Sequence, residues 1–323
     1  MTMEPRRRAL ILGISVVALL ALSGIAGAAV QLQLKLEEGK TYYERLRIER
    51  RITQSIMGQE QIIDHEIGVG RKLDVLDVDA DGNMQVECKY IWSRFKESGA
   101  MGSVDYDSTH GPSVPGGAEG FAALLGQSYT IRLSPKGEVL DVNGIEDLAK
   151  AVRKKVPEEL DTSSGLSPVA FLLSKDGVQE TTSSVLAVYP PEPVVEGARW
   201  ETRDLTTQGG PILVESRWTV KKLWMGVASI TSVSTVKADP TAEPMDVQGA
   251  KMRIDLSGTH EGTAAVDEAT GLIKTSSSQY LLKGKLGIVT PEGKLLDTVA
   301  IPISLETTTT FEMKDRRFDM ASR

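Results

Sequence analysis

A few residues in the 323-residue chain have types and spacings that chemistry could use. Asp77, Asp79 and Asp81, followed by Gly82, repeat the first half of a calcium-binding loop, where alternate carboxylates wrap a hard cation. The twelfth place of such a loop holds Cys88 instead of a bidentate glutamate, and the flanks alternate like strands, so a polar hairpin turn is expected. Ser93 and Lys96 have the S-x-x-K spacing of some serine hydrolases, but this serine ends a strand pattern and the companion motifs are missing. His65, His110 and His260 are scattered, and neither an HExxH nor a CxxC pair occurs. His65 falls on an apolar strand face and reads as a core histidine, His110 lies in a loop, and His260 ends a strand. Cys88, the single cysteine, alternates with Met84, Val86, Tyr90 and Trp92 and reads as a buried small hydrophobe with no intramolecular disulfide partner. Arg45, Arg47 and Arg51 share the face of a strand opposite Leu46 and Ile48; diluted by Glu44 and Glu49, they read as a solvated face. No catalytic, cofactor-binding or metal-binding residue is assigned on these patterns, and no cofactor is expected.

The elements that would position such residues are strands. Leu46, Ile48, Ile52 and Ile56 alternate on one face, as do Ile63, Ile67, Val69, Leu73 and Val75, and then the runs 84–92, 212–220, 224–236, 252–256 and 299–305. This period marks half-buried antiparallel strands. Thr and Ser fill outward positions, as at Thr307 to Thr310. Asp81-Gly82, Lys136-Gly137, Thr270-Gly271 and Glu292-Gly293 punctuate the runs as hairpin turns, and Gly68-Val69-Gly70 inside a run suggests a bulge or bend. Helical spacing occurs near 145–156, where Ile145, Leu148, Ala149, Val152 and Val156 recur behind an Asn143 cap and before Pro157. A second short helix is expected near 168–175, capped by Ser167, and one more turn over 120–125. Residues 98–120, rich in Gly, Pro and Ser, read as a mobile loop. The fold class is therefore mainly β with minor α: a large curved antiparallel meander of hairpins packing one or two helices, half-barrel-like.

Composition limits the classes further. With 41% apolar, 25% charged and 5% aromatic residues, the chain is globular, and its charge of −7 argues against nucleic acid as the main partner. Residues 1–28 read as an export signal: Arg6, Arg7 and Arg8, an apolar run over 9–22, then Ala26-Gly27-Ala28. Its loss would remove Glu4 and three arginines, moving the charge from −7 to −9. The alternative is an uncleaved anchor over 9–30 that associates with the membrane. After it come a β-rich lobe over 29–188, a Pro-rich connector over 189–198 containing Tyr189-Pro-Pro-Glu-Pro193, and a second β-rich lobe over 199–323 expected to share the first lobe's core.

Several segments together resemble an exported bacterial family of unknown function. They are the block from Gly126-Gln127-Ser128-Tyr129 through Lys136-Gly137-Glu138-Val139, the opening Glu38-Gly39-Lys40-Thr41-Tyr42-Tyr43, Gln54 to Gly58, and Pro193 to Trp200. The likeness implies export and a β-rich architecture but no activity. More loosely, the pattern resembles periplasmic lipoprotein-carrier folds, in which a curved half-barrel sheet wraps a helix and holds an acyl chain. The expected function is a non-enzymatic exported binding module for a hydrophobic small molecule or lipid, in the periplasm or outside the cell. An envelope-associated structural protein is the second reading, and a hydrolase with a site assembled from scattered residues is the third.

Overall fold

The computed structural model describes residues 29–56, 58–100, 102–156, 168–206, 212–239, 244–247, 250–289 and 300–319. The expected signal over 1–28, the Pro157 stop, the Ser167 cap and the Glu292-Gly293 turn lie outside them. Among the described residues no helix is long and apolar enough to cross a membrane.

The alternating runs form β1 (Thr41–Ile56), β2 (Gln59–Val78), β3 (Met84–Gly99), β4 (Gly102–Asp107), β5 (Ser128–Leu133), β6 (Val139–Asn143), β7 (Arg199–Thr206), β8 (Ile212–Trp224), β9 (Val227–Ala238), β10 (Met245–Val247), β11 (Ala250–Asp267), β12 (Ile273–Ile288) and β13 (Ile301–Lys314). All thirteen belong to one antiparallel sheet, in the order β6-β5-β3-β2-β1-β13-β12-β11-β9-β8-β7, with β4 on β3 and β10 on β11. The sheet is open, with β6 and β7 as its edges, and is not closed into a barrel. Four helices accompany it: α1 (Glu119–Leu124), α2 (Ile145–Arg153), α3 (Pro168–Leu172) and α4 (Lys175–Leu186). The expected fold class is what is found.

The curl of the sheet follows from one short segment. Leu34 donates its N–H to Pro135 O in the β5–β6 turn, and Lys35 donates to Thr270 O in the β11–β12 turn. Those turns are five strand spacings apart, roughly 24 Å on a flat sheet. Adjacent residues reach both only because the sheet bends round. Val30 pairs with Val194 on the connector, and Leu32, Leu34 and Leu36 are buried. Tyr189 adds a second tie: its ring lies against the Gly137 turn and its hydroxyl donates to Gly271 O at 2.5 Å.

Several expectations change in detail. The expected bulge is not in the Gly68–Gly70 stretch but in β3 opposite its end: Gly70 pairs with Trp92 and Arg71 with Tyr90, leaving Ile91 of β3 as the extra residue. The extra residue shifts the period, so Trp92 leaves the face it was expected to share with Met84, Cys88 and Tyr90. It covers Gly68 from the other side, where a Cβ would stand 2.3 Å from the indole, and donates to Asp107 Oδ1 at 3.1 Å. Residues 98–120 are not all loop: β3 runs on to Gly99 and β4 returns along it, burying Tyr106. Asn143 ends β6, and Gly144 (φ +80°) takes the cap position of α2. Trp224 closes β8, with Met225 and Gly226 forming the turn, both at positive φ. The helix expected over 168–175 stops at Leu172, and the longest helix, α4, follows where none was expected.

Gly271 (φ +70°) has no room for a Cβ, which would lie 1.9 Å from Gln33 O, whereas Gly226 (φ +75°) has open space. Gly271→Ala should therefore destabilise by more than about 1 kcal/mol beyond Gly226→Ala, because it adds displacement of the 30–36 segment to the cost of positive φ. Thermal melts compare them; equal losses would contradict the close approach.

Candidate functional site

The concave face of the sheet carries helices. α1 lies on β3, where Ser93 Oγ donates to Phe121 O at 2.9 Å and Phe95 stacks on Phe121 at 4.6 Å. α2 buries Ile145, Leu148, Ala149 and Val152, the stripe expected from its spacing. α3 and α4 pack together, and Ser174 caps α4 by accepting from Gly177 N at 2.9 Å. Between α4 and β1, β2, β3, β5 and β13 lies a narrow pocket, partly open to solvent and walled by residues such as Leu46, Leu73, Val185 and Phe311. A neighbouring, smaller pocket lies between Ile48, Ile67 and Val69 on the sheet and Phe171 and Leu172 on α3. Leu46 and Thr181 line both, so the two lie side by side as a largely apolar slot beneath the α3–α4 pair.

One charged pair is buried in the slot's wall. Glu44 and Arg71 face each other from β1 and β2, and Arg71 also donates to the Tyr129 hydroxyl. Burial, the largest single effect, would lower the Arg71 pKa, but Glu44 and, after it, the Tyr129, Tyr90 and Cys88 groups together hold it raised. Next to it, burial pushes the Cys88 thiol up to about 12, so the cysteine is the inert small hydrophobe expected.

The residues singled out in the sequence do not assemble into a catalytic set. Asp79 accepts from the N–H groups of Asp81 and Asn83 and from the Asn83 and Arg132 side chains, so both its oxygens are engaged in the hairpin turn. These bonds, those from Asn83 foremost, hold its pKa down at about 2. No group of metal-ligating side chains occurs among the described residues. Ser93 is bonded to a backbone carbonyl, and Lys96, three residues on along the same strand, is exposed, so S-x-x-K makes no site. His110 is exposed in the turn after β4. Arg45, Arg47 and Arg51 pair with Glu312, Glu66 and Asp64 along the convex face. Glu44 is not with them; it points inward, on the same alternation as Leu46. His65 is on the concave face with Nε2 2.9 Å from Glu97. His260 does not end a strand but sits in the middle of β11, with Nδ1 2.9 Å from Ser234 Oγ and its ring stacked 4.1 Å from Tyr280. Thr307 is likewise buried rather than outward. Sequence reasoning put Glu44 on the outward face and passed over Arg71 and Arg50, yet each carried a signal: a charge at an apolar position of its alternation.

Arg71→Met should cost about 3–5 kcal/mol in urea unfolding, because it strands the Glu44 charge. Adding Glu44→Leu should recover most of that loss, and a double variant no better than the single would contradict the pairing. Burial lowers the His260 pKa to about 4. The unfolded imidazole takes up its proton near pH 6.5, so the stability this neutral histidine contributes is full above that pH. It is lost progressively as pH falls from about 6.5 to about 4, by up to about 3 kcal/mol. His260→Gln should flatten that part of the pH–stability curve; an unchanged slope would contradict the burial.

Solved structures similar to this chain include one reported as "Lipid-protein interactions in lipovitellin", at 12% identity and a TM-score of 0.48 over 90% of this chain and 26% of that one. The chain thus spans about a quarter of the lipovitellin chain it matches. Another is the COG4313 outer membrane channel from Pseudomonas putida F1, at 8% identity and a TM-score of 0.34, covering 87% of this chain and 98% of the channel. A third is DynF from the dynemicin biosynthesis pathway of Micromonospora chersina, at 10% identity and a TM-score of 0.21, covering 88% and 85%. No curated protein matches. The model of the family of unknown function DUF6263 matches residues 81–273, more than half of the sequence, and the chain belongs to that family.

Proposed function

We propose that the protein is a non-enzymatic module that binds an elongated apolar ligand, such as the acyl chain of a lipid, between its curled sheet and the α3–α4 pair. The observation that carries this reading is the pair of adjacent pockets beneath α3 and α4, which share Leu46 and Thr181 and are walled mostly by aliphatic and aromatic side chains. Ligand pockets share this lining, mostly apolar with a few polar groups. α4 is suited to be a yielding wall: its sequence, KDGVQETTSSVL, has weak intrinsic helicity and rests on its packing. On the same reading the module works outside the cytoplasm, exported by residues 1–28, and its two β-rich stretches, 29–188 and 199–323, act as one body around the slot.

Protein purified from its own host and measured by native mass spectrometry should carry a lipid-sized adduct, and protein stripped of it should take up palmitate. Leu46→Trp, which fills the junction of the two pockets, should lower uptake by at least tenfold while the thermal melt stays cooperative. An unliganded mass from the host together with no palmitate uptake by the stripped protein would overturn the reading.

A further inference from the structure

The strand registers align one polar residue from each of nine strands into a single row across the concave face. Thr202 pairs with Ser216, Ser216 with Ser234, and Ser234 with His260. His260 pairs with Tyr280, Tyr280 with Thr307, Thr307 with Arg50, Arg50 with His65, and His65 with Glu97. On either side of the row the same face is apolar. Toward the α3–α4 slot it continues into the main core; on the other side Val214, Val236, Leu256 and Leu282 form a second cluster with Leu305. A polar stripe between two apolar fields is costly to keep unless its groups are bonded.

Both ends of the row are bonded, and the middle is not. At one end Ser216 and Ser234 share a hydrogen bond of 2.8 Å, and Ser234 continues to His260. At the other end Glu97 is taken by His65. Between them Arg50 Nε and Thr307 Oγ1 are shielded from solvent and meet no partner. No carboxylate forms an ion pair with Arg50 among the described residues, and burial lowers its pKa with no opposing charge to restore it. Among the described residues four acids reach the row: Glu97 and Asp64 act on His65, and Asp204 and Glu180 on Tyr280, while none acts on Arg50. Arg50 is nonetheless only half-buried, so a ligand can reach it. Ile48 and Ile67, which line the slot, precede and follow Arg50 and His65 by two residues on the same face, roughly 7 Å away.

We infer that Arg50 and Thr307 bind the anionic head, a carboxylate or a phosphate, of an amphiphile whose chain occupies the slot past Ile48 and Ile67. A guanidinium donates several N–H bonds to such an oxyanion in a fixed fork, and the threonine hydroxyl adds another. The pairing would satisfy the two groups of the row's middle that are left unbonded and neutralise the cation. The inference rests on the proposed slot and names the class of ligand it takes.

The test uses the full chain, stripped of bound lipid, with three probes that share one acyl length: palmitate, palmitoyl lysophosphatidic acid and palmityl alcohol. The wild type should bind at least one anionic probe tenfold or more tightly than the alcohol, and the preferred anion separates a carboxylate from a phosphate ligand. Arg50→Met should erase that preference while leaving alcohol binding within about twofold, and Arg50→Lys should restore part of it. A preference that survives Arg50→Met, or an alcohol bound as tightly as both anions, overturns the head-group site but leaves the slot standing. If no probe binds, the slot falls. The head-group site is then decided by inorganic phosphate alone, which should raise the melting temperature of the wild type but not of Arg50→Met; equal responses overturn it.

Discussion

An open antiparallel sheet with one apolar face has to cover that face, and this chain does so by bending the sheet back over helices inserted between its hairpins. The bend is tied where residues 30–36 cross from the β5–β6 turn to the β11–β12 turn and where Tyr189 spans the same gap. Everything functional in the molecule follows from that closure. It brings strands from both halves of the sequence around one interior, and it leaves the α3–α4 pair seated over a face wider than two short helices can fill.

The strands were legible because period-two alternation survives in nearly every one of them, and the turns because glycine is needed where φ is positive, as at Gly82, Gly137 and Gly271. What escaped has physical reasons. The bulge at Ile91, opposite Gly70 and Arg71, inserts one residue and reverses the face of Trp92, and alternation read forward from Met84 cannot register such a slip. α4 has two threonines, two serines and a glycine in its first turn, so its helicity comes from packing rather than from its own residues. Thr307 and His260 looked peripheral because burial in a sheet depends on which strands flank a residue, and β13 sits next to β1, some 250 positions away in sequence.

The site was legible only in part. Glu44, Arg50 and Arg71 each break an apolar alternation, which marks them as unusual without saying why. Glu44 and Arg71 find each other across adjacent strands and so hold a structural pair. Arg50 instead meets Thr307 and His65, the latter already committed to Glu97. Only the register of nine strands, a property of the whole sheet, separates a charge that the fold satisfies from one that it presents.

The central claim is that the space beneath α3 and α4 is a binding slot rather than a packing fault. Amide hydrogen exchange with and without palmitate tests it most directly, because a ligand held there must slow the opening of the helix that roofs it. The account predicts slower exchange across Lys175–Leu186 and in residues 44–50 of β1, with the β8–β9 hairpin, which lines neither pocket, unchanged. Exchange in α4 and β1 that is indifferent to palmitate at saturating concentration would contradict it.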